Sequence, residues 1–227
     1  RPGIIMNANM PIGDRRPAMT LLSGQLDVFS HCCRIVLQEK DIDCGIEFVS
    51  SSDDPARIGE HNPYGETPTL IDRDVSLYNM WVIIEYLDEK FPQIRLIPDA
   101  LESRARVRQI ALTIACDMHP LQNLRVLKYL TGKLGLSEED KTGWIQHWLM
   151  LGLDALETDL ARSPIRGLFC VGDNPSMADC ALVPQMFSAT RFGVDTAAYP
   201  TLCAIADACE NLPAIAAAHP ARQIDSE

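Results

Sequence analysis

The spacing of apolar positions predicts that strands and helices alternate in roughly the first hundred residues of the chain. Short apolar runs and alternating positions indicate strands, and a helical repeat of apolar positions indicates helices. The elements follow one another as strand, helix, strand, strand, strand and helix, which predicts an α/β domain. The predicted strands cover 19–22, 44–49, 67–71 and 76–78, and the predicted helices cover 30–40 and 80–91.

The second part of the chain has the apolar spacing of helices alone. A proline-bounded stretch, 92–98, precedes this part, and we place the boundary between two domains there. We predict a flexible leader over 1–18, an α/β domain over 19–92, a linker over 93–101 and an all-α domain over 102–227. The predicted helices of the second part cover 102–130, 138–161, 176–190 and 201–217.

The composition is that of an ordinary globular protein, with 47% apolar and 22% charged residues among 227. A net charge of -11 opposes direct binding to nucleic acid or to an anionic membrane. No apolar run approaches the ~20 residues that span a bilayer. The eight cysteines form neither a CxxC pair nor a Cys/His grouping, so we expect reduced thiols, no metal site and a cytoplasmic protein.

The sharpest local signal in the second part is the start of a helix. Ser176 precedes a helical stretch, and Asp179 follows three positions later. This spacing predicts a capping box, in which each side chain satisfies the backbone N–H of the other residue and the cap contributes ~1 kcal/mol. We therefore expect a structural role for Asp179.

The order of elements, the Thr67-Pro68 entry into a strand and the capping box together resemble the glutathione-transferase superfamily. The resemblance covers nearly all of the chain after residue 18. It implies a thioredoxin-like N-terminal domain followed by an all-α C-terminal domain. It also implies a homodimer, formed by contacts between the N-terminal domain of one subunit and the helical domain of the other.

The two parts of the chain resemble different relatives within that superfamily. Residues 19–100 resemble stringent starvation protein A, a transferase-fold regulator that binds bacterial RNA polymerase. Residues 104–227 resemble the zeta class, the maleylacetoacetate and maleylpyruvate isomerases. The matching stretches are 30–31, 34–37, 62–63 and 85–89 for the regulator, and 116–123, 182–185, 191–195 and 219–225 for the zeta class.

The resemblance implies that Thr67 pairs its backbone with the cysteinyl part of glutathione, next to a cis Pro68. The γ-glutamyl end normally meets an acidic residue or glutamine followed by serine, and here the pair is Asn79-Met80. Asn79 offers hydrogen bonds but no charge, and Met80 keeps only its backbone N–H at a helix start. We therefore expect glutathione to be the cofactor, with weakened binding.

The residue that stabilises the thiolate departs from the family pattern. Counting back from Arg34 places the family's serine or cysteine at Asp27 and the zeta-class arginine at Leu26. A carboxylate about 4 Å from a thiolate repels it by ~4 kcal/mol at an effective dielectric constant of about 20. We therefore expect the usual activation of the thiol to be compromised by Asp27.

Three further residues near the start of the first helix are candidates for catalysis. Cys32 and Cys33 lie in its predicted first turn, where the helix dipole lowers the pKa of a thiol, so either is a candidate nucleophile. The alternative is that both are small residues that pack the helix against the sheet. His31 is a candidate base or substrate contact, and the alternative is an exposed residue near the helix cap.

Two arginines of the second part are candidates for binding substrate carboxylates, as the zeta-class resemblance implies. Arg125 and Arg191 each offer a guanidinium that binds a carboxylate through two parallel hydrogen bonds. The alternative for each is a surface or helix-pairing role. His119 is a candidate substrate contact, and its alternative is to shape the helix together with Pro120.

These residues support two classes of function. The first is a glutathione-dependent cis–trans isomerase or transferase acting on a small unsaturated acid, with an isomerase that no longer uses glutathione as a variant of it. The second is a regulator that binds RNA polymerase, although the Pro-His-Pro motif of that family is replaced by Pro-Gln-Ile at 92–94. We favour the isomerase.

Overall fold

The computed structural model describes residues 18–50 and 55–223. The predicted leader lies outside the described residues except for Ala18. The strands are β1 (Met19–Ser23), β2 (Gly45–Phe48), β3 (Thr69–Asp72) and β4 (Val75–Tyr78). The α-helices are α1 (Val28–Glu39), α2 (Pro55–Gly59), α3 (Met80–Lys90), α4 (Leu101–Leu112), α5 (Leu124–Gly132), α6 (Glu138–Ala161), α7 (Met177–Arg191), α8 (Pro200–Glu210) and α9 (Pro213–Ala217).

The four strands form one sheet in the order β2-β1-β3-β4, with β1 parallel to β2 and antiparallel to β3. Leu21, Leu22 and Leu70 on the two central strands are fully buried, whereas the edge strand β4 is largely exposed. A central strand that is covered on both faces carries apolar side chains throughout, which explains why β1 reads as an apolar run.

Helix α7 is the centre of the helical part, and it packs against α1, α4 and α8. Most of its side chains are buried. The capping box predicted at Ser176 and Asp179 is present at its start, and the buried Asp179 carboxylate also accepts a hydrogen bond from Cys170 N at 2.8 Å. None of the described helices is both long and apolar enough to cross a bilayer.

The helix predicted over 102–130 is broken in the structure. After α4 the chain forms a π-helical turn, Thr113–Met118, and a 3-10 turn, His119–Gln122, before α5 begins. Pro120 lies in the break, because a proline lacks the N–H that would continue an α-helix. The helix predicted over 201–217 is likewise divided into α8 and α9.

A buried ion pair holds the segment between α3 and α4, which connects the two parts of the molecule. Lys40 Nζ and Asp88 Oδ1 are 2.8 Å apart, and both side chains are almost fully buried. Asp88 also accepts hydrogen bonds from the backbone N–H groups of Leu96 and Ile97. The carbonyl of Leu96 in turn accepts a hydrogen bond from Met177 N at the start of α7. These contacts fix how the helical part meets α1 and α3.

Candidate active site

A cavity of about 580 Å³, called the main cavity below, lies between the two parts of the molecule. Its walls come from the segment before α1, the end of β2 and the residues after it, and the segment before β3. The 3-10 turn after α4, the start of α5 and the end of α7 complete them. The charged and titratable side chains on these walls are Asp27, Glu66, His119 and Arg191. Three of these four were proposed from the sequence, and packing brings them together with Thr67.

Asp27 is the N-cap of α1. Its carboxylate accepts hydrogen bonds from Phe29 N at 3.2 Å, Ser30 N at 3.0 Å and Ser30 Oγ at 2.5 Å. Thr67 Oγ1 donates to one carboxylate oxygen at 3.3 Å, and His119 Nε2 lies 3.5 Å from the other. Burial raises the pKa of Asp27, but the contacts with His119 and Ser30 outweigh burial and hold it below its ordinary value. Asp27 is therefore ionised at neutral pH.

Thr67 lies beside Asp27 at the entry to β3. Its peptide bond to Pro68 is cis, as the resemblance implies. Gly24 permits the close approach of the two segments, because a Cβ on it would lie 2.8 Å from Asp27 Cβ and 2.9 Å from Thr67 Oγ1. The backbone N–H and C=O of Thr67 have no hydrogen-bonding partner within the part of the chain that the structure describes. They are therefore available to pair with an extended ligand.

His119 reaches the main cavity from the 3-10 turn that breaks the predicted helix. Helix α6 packs closely against this region, since a Cβ on Gly152 would overlap the side chain of Met118. The His119 ring also lies against Phe29, with 4.1 Å between the ring centroids. A π-helical turn such as the one before His119 is frequent at functional sites.

A second cavity of about 270 Å³ adjoins the main cavity and shares Glu66, Thr67 and Asn123 with it. Arg125 lines this second cavity, with its guanidinium 4.7 Å from the Tyr64 ring centroid and its Nη1 3.2 Å from Glu66 Oε2. Glu66 was not proposed from the sequence, although its place directly before Thr67-Pro68 is a signal that could have identified it. The second cavity therefore holds one cation and one carboxylate side by side.

Asn79 and Met80 line the second cavity together with Thr67 and Pro68. Asn79 has a positive φ of 73°, and its side-chain oxygen accepts a hydrogen bond from Trp81 N at 3.0 Å. The amide N–H groups of its side chain remain to donate to a ligand. The four residues proposed for glutathione thus lie along one cavity.

Arg191 lies at the C-terminal end of α7 and lines the main cavity, whereas Arg125 lines the second cavity. Among the described residues, no carboxylate forms a salt bridge with Arg191, and its guanidinium lies 4.7 Å from the centroid of the adjacent Phe192 ring. Burial lowers the pKa of Arg191, and the charge of Asp27 partly offsets this. The structure therefore does not bring the two arginines to one cavity.

Arg34 is a buried residue for which the sequence suggested no role. Its guanidinium donates to Ser23 Oγ at 2.7 Å and to the carbonyls of Gly24 and Gln25 at 3.0 and 3.2 Å. It also donates to the carbonyl of Ala218 at 3.5 Å, and burial lowers its pKa to about 10. Arg34 thus holds the segment before α1 in place. Its position within an apolar helical stretch is the signal that could have identified it.

Cys32 and Cys33 line neither cavity and are fully buried. The helix begins at Val28, so the two cysteines lie in its second turn and not in the first turn that we expected. Burial raises the pKa of both thiols, so the expected lowering by the helix dipole is wrong. Their burial agrees with the alternative that both are small residues that pack the helix.

His31 also lines neither cavity, and it is only 1% exposed. The expectation of an exposed residue near the helix cap is therefore wrong. Its ring packs edge-on against Phe187 and His219, with centroids 6.2 and 6.1 Å away. Burial lowers the pKa of His31 to about 3, so the imidazole is neutral at physiological pH.

Comparison with known proteins decides the family. Residues 28–90 match the family model for the glutathione S-transferase N-terminal domain. The chain is 46% identical over 165 residues to the probable maleylacetoacetate isomerase of Vibrio cholerae, which covers 73% of this chain and 76% of that protein. It is 42% identical over 165 residues to the maleylpyruvate isomerase of a Ralstonia species, which covers 73% and 78%. The chain belongs to the zeta class of the glutathione S-transferase superfamily.

Solved structures of zeta-class proteins superpose closely on this one. The holo structure of a zeta-class maleyl pyruvate isomerase has a TM-score of 0.87 and 36% identity, and covers 92% of this chain and 100% of that chain. A maleylacetoacetate isomerase from Methylobacterium extorquens, with bound malonate and glutathione, has a TM-score of 0.87 and 34% identity, and covers 90% and 97%. The predicted thioredoxin-like and all-α domains of a transferase fold are confirmed. These relatives favour the isomerase over the polymerase-binding regulator.

Proposed function

We propose that this zeta-class protein is a glutathione-dependent cis–trans isomerase that acts on a small unsaturated acid. The observation that carries the proposal is the position of Arg191, a cation without a salt bridge to any described residue, in the same cavity as the Thr67 backbone. The cavity can therefore receive an anionic substrate beside the residue that pairs with the cofactor. The names of the Vibrio cholerae and Ralstonia relatives support this reaction class.

The residues of the two cavities fit glutathione. The unpaired backbone of Thr67 suits the cysteinyl part, and the adjacent Glu66 and Arg125 suit the ammonium and carboxylate groups of an amino-acid end. Asn79 has free amide N–H groups for the same end. When bound, glutathione supplies a thiolate that adds to an activated double bond and leaves again after rotation. The residues of this chain hold, orient and shield the reactants.

Arg191 is the proposed substrate-binding residue of the main cavity. A guanidinium binds a carboxylate through two parallel hydrogen bonds and keeps its charge throughout the physiological range. Leu127 and Phe192 on the same walls exclude water around this contact and strengthen it. We assign Arg125 to the glutathione end, since it lines the second cavity with Asn79.

Calorimetric titration with glutathione, followed by assays with maleylpyruvate and maleylacetoacetate, tests the proposal. We expect heat on binding, and turnover that requires glutathione. Arg191→Ala should lower kcat/KM by about 100-fold, the loss of a charged hydrogen-bonded contact worth about 2–3 kcal/mol. Arg95→Ala, a half-exposed arginine outside both cavities, is the matched control and should leave kcat/KM unchanged. Neither binding nor turnover by the wild type would contradict the proposal.

The ionised Asp27 favours a second candidate, an isomerase that no longer uses glutathione, because a carboxylate beside a thiol opposes its ionisation. Turnover that is equal with and without glutathione would identify this candidate. A regulator that binds RNA polymerase is the remaining alternative, and the N-terminal resemblance to stringent starvation protein A is its only support. Retention of this protein on purified polymerase, without isomerase activity, would favour the regulator.

The proposal includes a homodimer in the cytoplasm, where glutathione is abundant and reduced. Exposed apolar side chains on the sheet edge and α3, Val75 and Val82, are candidates for the subunit contact. Light scattering should give twice the chain mass. Val82→Asp should yield monomers, whereas Leu168→Asp, at an exposed apolar residue of the loop between α6 and α7, should not.

A further inference from the structure

The main cavity holds fewer cations than a substrate with two carboxylates would need. Among the described residues on its walls, Arg191 is the one arginine or lysine, whereas Asp27 and Glu66 both contribute carboxylates. Glu66 lies 3.2 Å from Arg125 of the second cavity, and no described arginine or lysine forms a salt bridge with the ionised Asp27. One substrate carboxylate can therefore pair with Arg191, but a second one would find no cation on the described walls.

Leu26 lies at the position where the zeta-class resemblance implies an arginine. The residue lines the main cavity next to Asp27, and it is 47% exposed. An arginine at this position would give the cavity wall a second guanidinium, whereas leucine gives it apolar surface. The main cavity therefore has one cation fewer and one apolar contact more at the same point.

Leu26 belongs to a group of accessible apolar side chains on the main cavity, called the apolar wall below. The apolar wall consists of Leu26, Phe48, Leu124 and Leu127, which come from the segment before α1, the end of β2 and α5. Phe48 is 40% exposed and Leu124 is 45% exposed. The Arg34 guanidinium lies 5.7 Å from the centroid of the Phe48 ring, a distance at which a cation attracts an aromatic face. Single exposed apolar residues are common on proteins, but several around one cavity are typical of a ligand site.

We propose that the substrate of the main cavity is an unsaturated monocarboxylic acid with an apolar chain, and not a dicarboxylic acid. The inference rests on the proposed function, which supplies the reaction at the double bond. The carboxylate pairs with Arg191, and the chain covers the apolar wall. The cavity volume of about 580 Å³ lies within the range of about 300–1,000 Å³ that receives drug-sized ligands, so it has room for such a chain. Maleylpyruvate and maleylacetoacetate each carry two carboxylates, so we expect both to be poorer substrates than such a monoacid.

The preference for a monoacid has two physical causes. Each methylene group of the chain that leaves water against the apolar wall tightens binding roughly fourfold. A second carboxylate loses its water without gaining a cation, and the ionised Asp27 on the same walls repels it. Both causes weaken the binding of a dicarboxylic acid relative to a monoacid of the same length.

Calorimetric titration with saturated acids tests the preference independently of any reaction. Octanoate and octanedioate have chains of equal length and differ in the second carboxylate, and neither has a double bond to isomerise. The Kd of octanoate should be about tenfold lower than that of octanedioate, and Arg191→Ala should abolish the binding of octanoate. Equal Kd values, tighter binding of octanedioate, or octanoate binding that survives Arg191→Ala would overturn the inference, even for an active isomerase.

The Leu26→Arg variant tests whether Leu26 sets this preference. It should shift the ratio of the two Kd values about tenfold toward octanedioate, because the second carboxylate gains a cation and the monoacid loses an apolar contact. Leu134→Arg is the matched control, since Leu134 is an exposed leucine after α5 that lines neither cavity, and it should leave the ratio unchanged. An unchanged ratio in Leu26→Arg overturns the inference. If this variant is also monomeric in light scattering, the apolar wall contacts a second subunit instead.

Turnover of two matched unsaturated acids is the closing test. The acids are cis-4-oxonon-2-enoic acid and cis-4-oxonon-2-enedioic acid, which share the double bond and the ketone and differ in the second carboxylate. With glutathione present, kcat/KM should be about tenfold higher for the monoacid, and Phe48→Ala should remove most of this advantage. Equal kcat/KM for the two acids overturns the inference. Absence of turnover of both acids, with octanoate still preferred in calorimetry, contradicts the proposed function and supports the preference for a monoacid.

Discussion

His31 and His119 are both buried next to aromatic rings, but among the described residues only His119 has a carboxylate within 4 Å of a ring nitrogen. His31 lies in an aromatic cluster with Phe187 and His219, and neither of its ring nitrogens has a hydrogen-bonding partner among the described residues. His119 has Nε2 3.5 Å from Asp27 and lines the main cavity. The two imidazoles therefore differ in whether a carboxylate lies close to a ring nitrogen.

The difference shows how one charge determines what a buried imidazole can do. Burial alone disfavours the charged form, so His31 stays neutral and serves as a packing group. The Asp27 carboxylate instead gives His119 Nε2 a polar partner at 3.5 Å. Residue type and position near α1 made His31 a candidate base or substrate contact, and its ring nitrogens have no hydrogen-bonding partner among the described residues.

The largest expected effect comes from removing the His31 ring. His31→Ala should lower the free energy of unfolding by about 2–4 kcal/mol, because it leaves a cavity between Phe187 and His219. His31→Met, which fills the space without two unpaired nitrogens, should stay within about 1 kcal/mol of wild type. Urea unfolding measures both, and equal losses in the two variants would contradict this account of the aromatic cluster.

The next effect is the pH dependence of the free energy of unfolding that His31 causes. The pKa of His31 is about 3 in the folded protein against an ordinary 6.5, so the unfolded chain takes up a proton that the folded protein does not. The stability contributed by neutral His31 is therefore complete above pH 6.5 and is lost as the pH falls toward 3. From pH 7 to pH 5, wild type should lose about 2 kcal/mol more than His31→Met. Parallel pH curves for the two proteins would rule this out.

The smallest effect concerns the packing that positions His119. A Cβ on Gly152 would overlap the flexible side chain of Met118, so Gly152→Ala should cost about 1 kcal/mol and disturb the turn that carries His119. Gly143→Ala in the same helix meets no atom within 4 Å and should stabilise by about 0.5–1 kcal/mol. Thermal unfolding compares the pair, and the same sign for both changes would show that the close approach of α6 is unimportant.

Much of the fold could be predicted from the sequence because its signals are local. The apolar run of β1, the helical repeat of α3 and the capping box at Ser176 depend on residues within a few positions of one another. The Thr67-Pro68 strand entry is equally local, and it located the proposed glutathione backbone contact. The helix predicted over 102–130 was too long. The apolar spacing continues through Pro120, but the α-helical hydrogen bonding of the backbone is interrupted there.

The sequence by itself determined the order of elements, the family resemblance and, through that resemblance, Asp27 at the position of the family's serine or cysteine. Only the tertiary structure decided that Asp27 lies beside His119, that Arg125 and Arg191 line different cavities, and that His31 is buried. These facts depend on how α1 packs against the helical part and on how α6 packs against the turn before His119. The hydrogen bond from Arg34 to a carbonyl 184 positions away is one such long-range contact. Apolar periodicity specifies which face of a helix is buried, whereas side-chain partners depend on which other segment covers that face.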